Sequence, residues 1–533
     1  MRKYYSLLLL AFVLLVQSAF AQAPKRWTSG DIHEAIQKLN FLGSALYVAA
    51  HPDDENTRLI SYLANEVKAE TAYLSMTRGD GGQNLIGPEI SELLGVIRTQ
   101  ELLAARRIDG GNQMFTRAND FGYSKNPEET LEIWNKDAIL SDVIWAIRKW
   151  QPDVIINRFD HDSTRPNHGH HTASAMLSHE AFDLAGKKDV YPEQLKYVEP
   201  WQPRRLFFNT SWWFYGSQEA FAKADKSDFI TFDVGVYYPI KGKSNNEIAA
   251  ESRSMHKCQG FGSMGSRGSE PEYIKLLKGD LPDNTNLFAG INTTWTRVKG
   301  GEPIGKILAE VEKEFQYENP GASVPKLMQA YKLIKALPDG HWKQLKQKEI
   351  EEVIKACMGL FAEAVAKDYS ATPGQQVELN LEVTNRSDVD ATLQSVVFLP
   401  ENKERAINEK LQNNLSFLSQ HRVMIPEDIA YTNPYWLNEP WKLGRYMVEA
   451  QLMRGLPETP HTFKVRYNLI VAGEPLSFET NVVFKRADDV KGEVYRPFEI
   501  TPPVFANVQE KVYVFSNDAP QTIEVLLKAG APE

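Results

Sequence analysis

Six apolar residues, Ala45-Leu46-Tyr47-Val48-Ala49-Ala50, run directly into His51-Pro52-Asp53-Asp54-Glu55-Asn56. An uninterrupted apolar run this short reads as a strand buried on both faces, and only a sheet covered by helices on each side buries a strand that way. Three consecutive acids at its end are costly to dehydrate unless they are solvated or compensated by a cation. The segment therefore demands a polar crevice at the carboxyl end of a buried strand. Residues 56–67 follow as a helix with Leu59, Ile60 and Leu63 on one side.

Strand and helix signals alternate from there to about residue 260. Residues 71–76 read as a second strand, 90–108 and 137–150 as helices, 152–157 as a third strand and 206–208 as a fourth. The fold class expected is α/β: a Rossmann-like, mostly parallel sheet with helices on both faces, whose site lies in the loops beyond the carboxyl ends of its strands. Residues 304–367 turn amphipathic and helical. At Thr372-Pro373-Gly374 the pattern changes to period two: Val377, Leu379, Leu381 and Val383 alternate with polar residues and end at Asn385-Arg386-Ser387. Further strands are expected at 396–399, 445–453, 463–471 and 478–484, giving an immunoglobulin-like β-sandwich. The predicted organisation is residues 1–21 as a signal peptide, 22–300 as the α/β domain, 301–369 as a helical connection, 370–498 as the sandwich, and 499–533 as a linker with a partial β segment containing strands at 512–515 and 522–527.

The expectation of export rests on the amino terminus. A basic Met1-Arg2-Lys3 precedes a wholly apolar stretch at 7–16, and Ala19-Phe20-Ala21 has the small-x-small pattern of a cleavage site. That stretch is short for a bilayer span, so the mature chain is expected in a periplasmic or extracellular space and not as an integral membrane protein. A formal charge of -9 over 533 residues leaves no footprint for nucleic acid. Cys258 and Cys357 either pair or stay as two buried thiols, and their number excludes a disulfide scaffold.

The chemistry gathers in two segments. In the first, His51 and Asp54 reach one metal from adjacent turns while Asp53 points elsewhere; the competing reading is a helix N-cap, which does not require His51. In the second, four of the eleven histidines fall at His161, His168, His170 and His171, in a polar loop after the strand at 154–157. Both segments follow parallel strands on the same edge of the sheet. A His, Asp, His set leaves coordination positions open, as catalysis requires. The aromatic run Trp212-Trp213-Phe214-Tyr215 suits a sugar face, although such runs more often belong to a core or a domain interface.

These segments resemble the LmbE/PIG-L family of zinc-dependent N-acetylglucosaminyl deacetylases, with Ala50-His51-Pro52-Asp53-Asp54-Glu55 as the first element and His168-Gly169-His170-His171 as the second. Three further stretches are similar to family elements: Thr77-Arg78-Gly79-Asp80-Gly81-Gly82, Arg98-Thr99-Gln100-Glu101 and His256-Lys257-Cys258-Gln259. The resemblance covers about residues 40 to 265. It implies His51, Asp54 and His171 as metal ligands, Asp53 as general base, His168 on the other side of the metal, and Arg98 and Asp120 as holders of sugar hydroxyls. The implied cofactor is Zn2+, with Fe2+ or Co2+ equally acceptable to such a donor set. The implied substrate is an N-acetylated amino sugar or a glycan containing one. Two positions depart from the family pattern. His170 stands where the family has an acid, for which Asp160 or Asp162 would have to substitute, and Pro166 stands where some members place a tyrosine. A related amidase, or an inactive glycan-binding protein, remains the alternative at this stage.

Overall fold

The computed structural model describes residues 24–163, 167–282, 285–509 and 513–530. The expected signal peptide and Pro166 lie outside them. Among the described residues no helix is long and apolar enough to cross a membrane.

The amino-terminal half is built on a seven-stranded sheet. Its strands are β1 (Ser44–Ala49), β2 (Glu70–Ser75), β3 (Asn112–Phe115), β4 (Val154–Asn157), β5 (Arg205–Thr210), β6 (Phe229–Asp233) and β7 (Pro271–Gly279). They lie in the order β3-β2-β1-β4-β5-β7-β6. The first five are parallel, and β7 runs antiparallel to both β5 and β6. Period-two alternation divides β1 between two cores: Leu46 and Val48 enter one, and Ala45, Tyr47 and Ala49 the other. Helices α2 (Thr57–Asn65), α3 (Ser91–Asp109), α4 (Pro127–Trp134), α5 (Lys136–Trp150) and α6 (Gly169–Leu184) connect or flank these strands. Strand order reverses between β1 and β4, so the chain leaves β1 toward one side of the sheet and leaves β4 toward the other. The crevice that ligands use in such sheets opens at that point, and the two histidine-bearing segments flank it.

Helix α1 (Ser29–Leu39) turns Ile32, Ile36 and Leu39 away from this sheet into a core shared with three later helices, Glu302–Lys313, Val324–Ala336 and His341–Cys357. The same core continues into the C-terminal β region. The main sheet of that region has eight strands: β8 (Phe361–Ala366), β9 (Gln376–Thr384), β10 (Ala391–Leu399), β11 (Lys403–Lys410), β12 (Ser416–Met424), β13 (Lys464–Val471), β14 (Glu474–Asp488) and β15 (Gly492–Pro497). The long β14 joins two layers. Its first half pairs with β13, beyond which lie β10 and β11. Its second half pairs with β8 and β15, and β9 and β12 extend that layer. Val377, Leu379, Leu381 and Val383 all point inward, as their spacing predicts.

Three local expectations differ from what is observed. β8 lies within the stretch read as helical, because a six-residue strand rich in alanine carries no strand signature of its own. Residues 445–453 are not a sheet strand; they belong to an excursion between β12 and β13 that lies against the α/β unit. In the tail, Val504–Val508 pairs with Val525–Ala529 as a hairpin, whereas Val514 and Phe515 are exposed and outside any strand; Val512 is not among the described residues. Cys258 and Cys357 are separate, buried thiols.

Candidate metal centre and active site

His51 is the residue at which β1 gives way to a turn, and Asn56 caps α2 behind it, accepting the N–H groups of Arg58 and Leu59. Capping thus falls to Asn56, which leaves the acids before it free for other work. Asp54 Oδ2 accepts the backbone N–H of His51 at 2.7 Å and lies 3.1 Å from His51 Nδ1. Its other oxygen is 3.4 Å from His171 Nε2. His171 comes from the first turn of α6, held flat against Phe159 with ring centroids 3.9 Å apart. His51, Asp54 and His171 present donor atoms within 4.8 Å of one another, and so do His51, His168 and His170. A tetrahedral zinc site with ligands at about 2.0–2.1 Å has donor–donor edges of roughly 3.3 Å, so the first set, gathered within 4.8 Å, needs only a small contraction to hold an ion. Two imidazoles and a carboxylate are also the donors that borderline divalent ions prefer. The residues fit a zinc-type ion.

Charge in the cluster is organised around Asp54. Burial alone would raise its pKa, but His171 and His51 hold it well below the usual carboxylate range. Burial works against protonated His51, yet the Asp54 carboxylate and its hydrogen bond push His51 up to about 9. His171 is lowered to about 4, chiefly by burial.

Asp53 is held separately from this set, with φ +94°, a conformation that Asp and Asn tolerate better than most residues. Its Oδ2 accepts Arg98 Nη2 at 2.7 Å. Burial raises its pKa to about 6 despite the arginine. His168 caps α6, and its Nδ1 accepts the backbone N–H of His170 at 3.1 Å. In the neutral ring the proton therefore sits on Nε2. Burial lowers the His168 pKa.

His170, at the position of the family's acid, is fully buried between Phe121 and Trp134. Its Nδ1 is 2.9 Å from His51 Nε2 and 3.7 Å from Asp120 Oδ1. Its Nε2 is buried with no hydrogen-bond partner among the described residues. Asp160 pairs with His161 at 3.3 Å. Asp120 is brought to the cluster, 4.0 Å from His51 Nε2.

Arg98 requires a correction. A sugar contact was expected of it, but it is 2% exposed and its guanidinium is used on protein oxygens: Pro52 O at 2.6 Å, Gly79 O at 2.9 Å and Asp53. Nor does it pair with Glu101 on its own helix; that carboxylate accepts the backbone N–H of Cys258 at 2.8 Å. Arg98 orients the Asp53 carboxylate.

Sequence reasoning missed the support beneath the site. Glu55 is buried and receives Arg106 Nη2 at 3.1 Å and the backbone N–H of Asp53 at 2.9 Å, and lies 2.8 Å from His256 Nε2. His256 is thus a structural partner of Glu55. The signal was the position of Glu55 in the first motif, directly after Asp53 and Asp54. Trp212 and Trp213 are 47% and 61% exposed and face solvent, whereas Phe214 of the same run packs on the core, its ring 4.9 Å from that of Phe208. Tyr123, also exposed, stands with its ring 5.1 Å from that of His168.

Residues 46–182 match the family described as PIG-L: GlcNAc-PI de-N-acetylase. Those residues are a PIG-L (LmbE) family domain. The match begins in β1 and ends in α6, so the PIG-L domain contains both histidine-bearing segments. Among solved structures, the chain is similar to an N,N'-diacetylchitobiose deacetylase from Pyrococcus horikoshii, at 20% identity over 31% of this chain and 59% of that one, with a TM-score of 0.25. The chain thus spans under two thirds of that protein's length. A Pseudomonas fluorescens alkylpurine DNA glycosylase bound to DNA is also similar, at 9% identity over 44% of this chain and 58% of that one, with a TM-score of 0.12. No curated protein matches the chain.

Proposed function

We infer that the chain is an exported, metal-dependent amide hydrolase that removes the acetyl group from N-acetylglucosamine-type sugars or glycoconjugates. The observation that carries this reading is the convergence of His51, Asp54 and His171, with the separately held carboxylate of Asp53 beside them, inside a PIG-L domain. His51, Asp54 and His171 would hold the ion. When bound, the ion polarises the amide carbonyl and lowers the pKa of a bound water from 15.7 toward about 7.

The chain's own residues do the rest. Asp53 takes the proton from the attacking water. A carboxyl with a pKa of about 6 is a stronger base than an ordinary aspartate and is still ionised at neutral pH. Arg98 fixes the direction of its Oδ2. His168 offers its Nε2–H as a hydrogen bond to the oxygen that gains charge, the His170 N–H on Nδ1 favours that tautomer, and the proton taken up by Asp53 goes on to the departing nitrogen. Exposed Tyr123, Trp212 and Trp213 suit the flat faces of sugar rings.

His170 in place of the family's acid favours a second reading, in which the same chemistry acts on another small amide conjugate. Acetate release from a panel of N-acetylated saccharides, with acetylated amines and amino acids beside them, separates the two. Release from the saccharides that is abolished by a chelator and restored by Zn2+ supports the first. Release only from the other amides selects the second, and no release from either overturns both.

A further inference from the structure

Residues 425–463 link β12 to β13; their ends stay on the sandwich, and the stretch 435–458 leaves it to lie across the α/β unit. Tyr435, Trp436, Tyr446 and Val448 form a small core of their own, against which Val96 of α3 packs. The strap is tied to the loop after β3 by backbone. Gly455 and Arg445 bridge Phe115 and Ala118, the Tyr446 N–H donates to Arg117 O at 2.8 Å, and the Asn119 N–H donates to Gly444 O at 3.0 Å. Trp145 Nε1 adds a bond to Arg454 O at 2.9 Å.

The turn 77–82 lies between this strap and the candidate active site. Arg78 faces the strap and is 1% exposed. It donates to Pro457 O at 2.9 Å, to Leu456 O at 3.2 Å and to the Tyr435 hydroxyl at 3.2 Å. Its guanidinium stacks 3.4 Å from the Trp436 ring centre. The rest of the turn faces the site. Gly79 has φ +71°, and a Cβ there would come 2.3 Å from the Arg98 guanidinium that holds Asp53. Asp80 Oδ2 accepts the Asp120 N–H at 3.1 Å, and a Cβ on Gly81 would come 2.5 Å from Asp120 O. The Tyr446 side chain interacts with the buried Asp80 carboxyl. Asp120 in turn stands beside His51 and His170.

We propose that residues 425–463 are a positioning element of the hydrolase site. Arg78 and Tyr446 hold the turn 77–82, and through it the Arg98–Asp53 pair and Asp120 beside His51. The C-terminal sandwich is then needed for turnover although it supplies no group to the reacting atoms. An error of about 1 Å in a catalytic constellation costs on the order of 100-fold in rate, so a turn that touches both the base's partner and a neighbour of a metal ligand has leverage.

The proposal rests on the deacetylase reading, and its test keeps the two apart. Tyr446→Phe and Arg78→Lys are made in the full-length chain. Each is scored by kcat and KM for acetate release and by the visible absorption band of the Co2+-substituted protein. Both are expected to lower kcat about ten-fold or more with KM within about two-fold of wild type, and to shift the cobalt band with one ion still bound. A merely structural role would lower the melting temperature and leave the band and the kcat of the folded fraction alone. Wild-type kcat and an unshifted band in both variants overturn the proposal, and in one variant remove that residue from it. If the wild type releases no acetate, the deacetylase reading fails, and the cobalt band alone decides the positioning role by the same criterion. A wild type that binds no cobalt overturns both.

Discussion

Asp53→Asn should stabilise the metal-free protein while removing most of its activity. Asp53 is nearly buried, and its carboxyl stands at about 6 against an ordinary 3.8, burial outweighing the pull of Arg98. At about 1.36 kcal/mol per pKa unit, the ionised form is roughly 3 kcal/mol less favourable in the fold than in the unfolded chain. The sign follows from the raised value. The penalty is full above pH 6, shrinks as pH falls through 6, and is gone below 3.8. Asparagine keeps an oxygen for Arg98 and accepts φ +94° readily, so the variant escapes the penalty but leaves Arg98 without its anion. About 1–3 kcal/mol of net stabilisation above pH 7 remains, or a few degrees in melting temperature. The assay is thermal unfolding of chelator-treated wild type and variant at pH 8 and at pH 4.5. The variant should melt higher at pH 8, with the gap mostly closed at pH 4.5. A variant that melts lower at pH 8, or a gap independent of pH, would refute the reasoning. Loss of a general base should cost about 100- to 10,000-fold in kcat once metal is restored.

Three further outcomes are expected. His51→Ala and His171→Ala should each lose stoichiometric metal, and a variant that retains one ion per chain removes that residue from the ligand set. Glu55→Gln should destabilise the fold by about 3–5 kcal/mol, since it strips the anion from a buried Arg106 and from His256. The wild-type Glu55 is held down at about 2 although burial opposes it, with His256 and Arg106 prevailing. Its stabilising effect is therefore present above the ordinary 4.5 and lost as pH falls through about 2, and an unchanged melting temperature for Glu55→Gln at pH 7 would contradict this. Cys258 and Cys357 are buried with thiols raised to about 12. A thiol reagent should find neither in the native protein at pH 8 and both after denaturation without reductant.

The fold of the amino-terminal half was legible because β1 and β4 are short, apolar and followed by polar motifs. Parallel order then brings His51 and His171 to one crevice with no further information. The direction of Arg98 was not legible: its place on α3 does not say whether the side chain reaches the substrate or turns back under Asp53. The strap was misread for a physical reason. Tyr446 and Val448 are buried while Arg445, Met447 and Glu449 are less so, the alternation a half-buried strand shows. The strap's partners, however, are the loops around Arg78 and Asn119, more than 300 residues earlier in the chain. Periodicity reports that one face is covered, not by what. The departure at His170 was visible in the sequence, but its packing against Phe121 and Trp134 and its contact with His51 needed three dimensions.

The central claim is that a metal held by His51, Asp54 and His171 works with Asp53 as the base to cleave an acetamide. The most direct test measures metal content and acetate release on the same samples of wild type and Asp53→Asn, with an N-acetylglucosamine oligosaccharide as substrate. The account predicts one ion per chain in both proteins and acetate from the wild type alone. Equal acetate release by the two, or metal lost together with activity in Asp53→Asn, would contradict it.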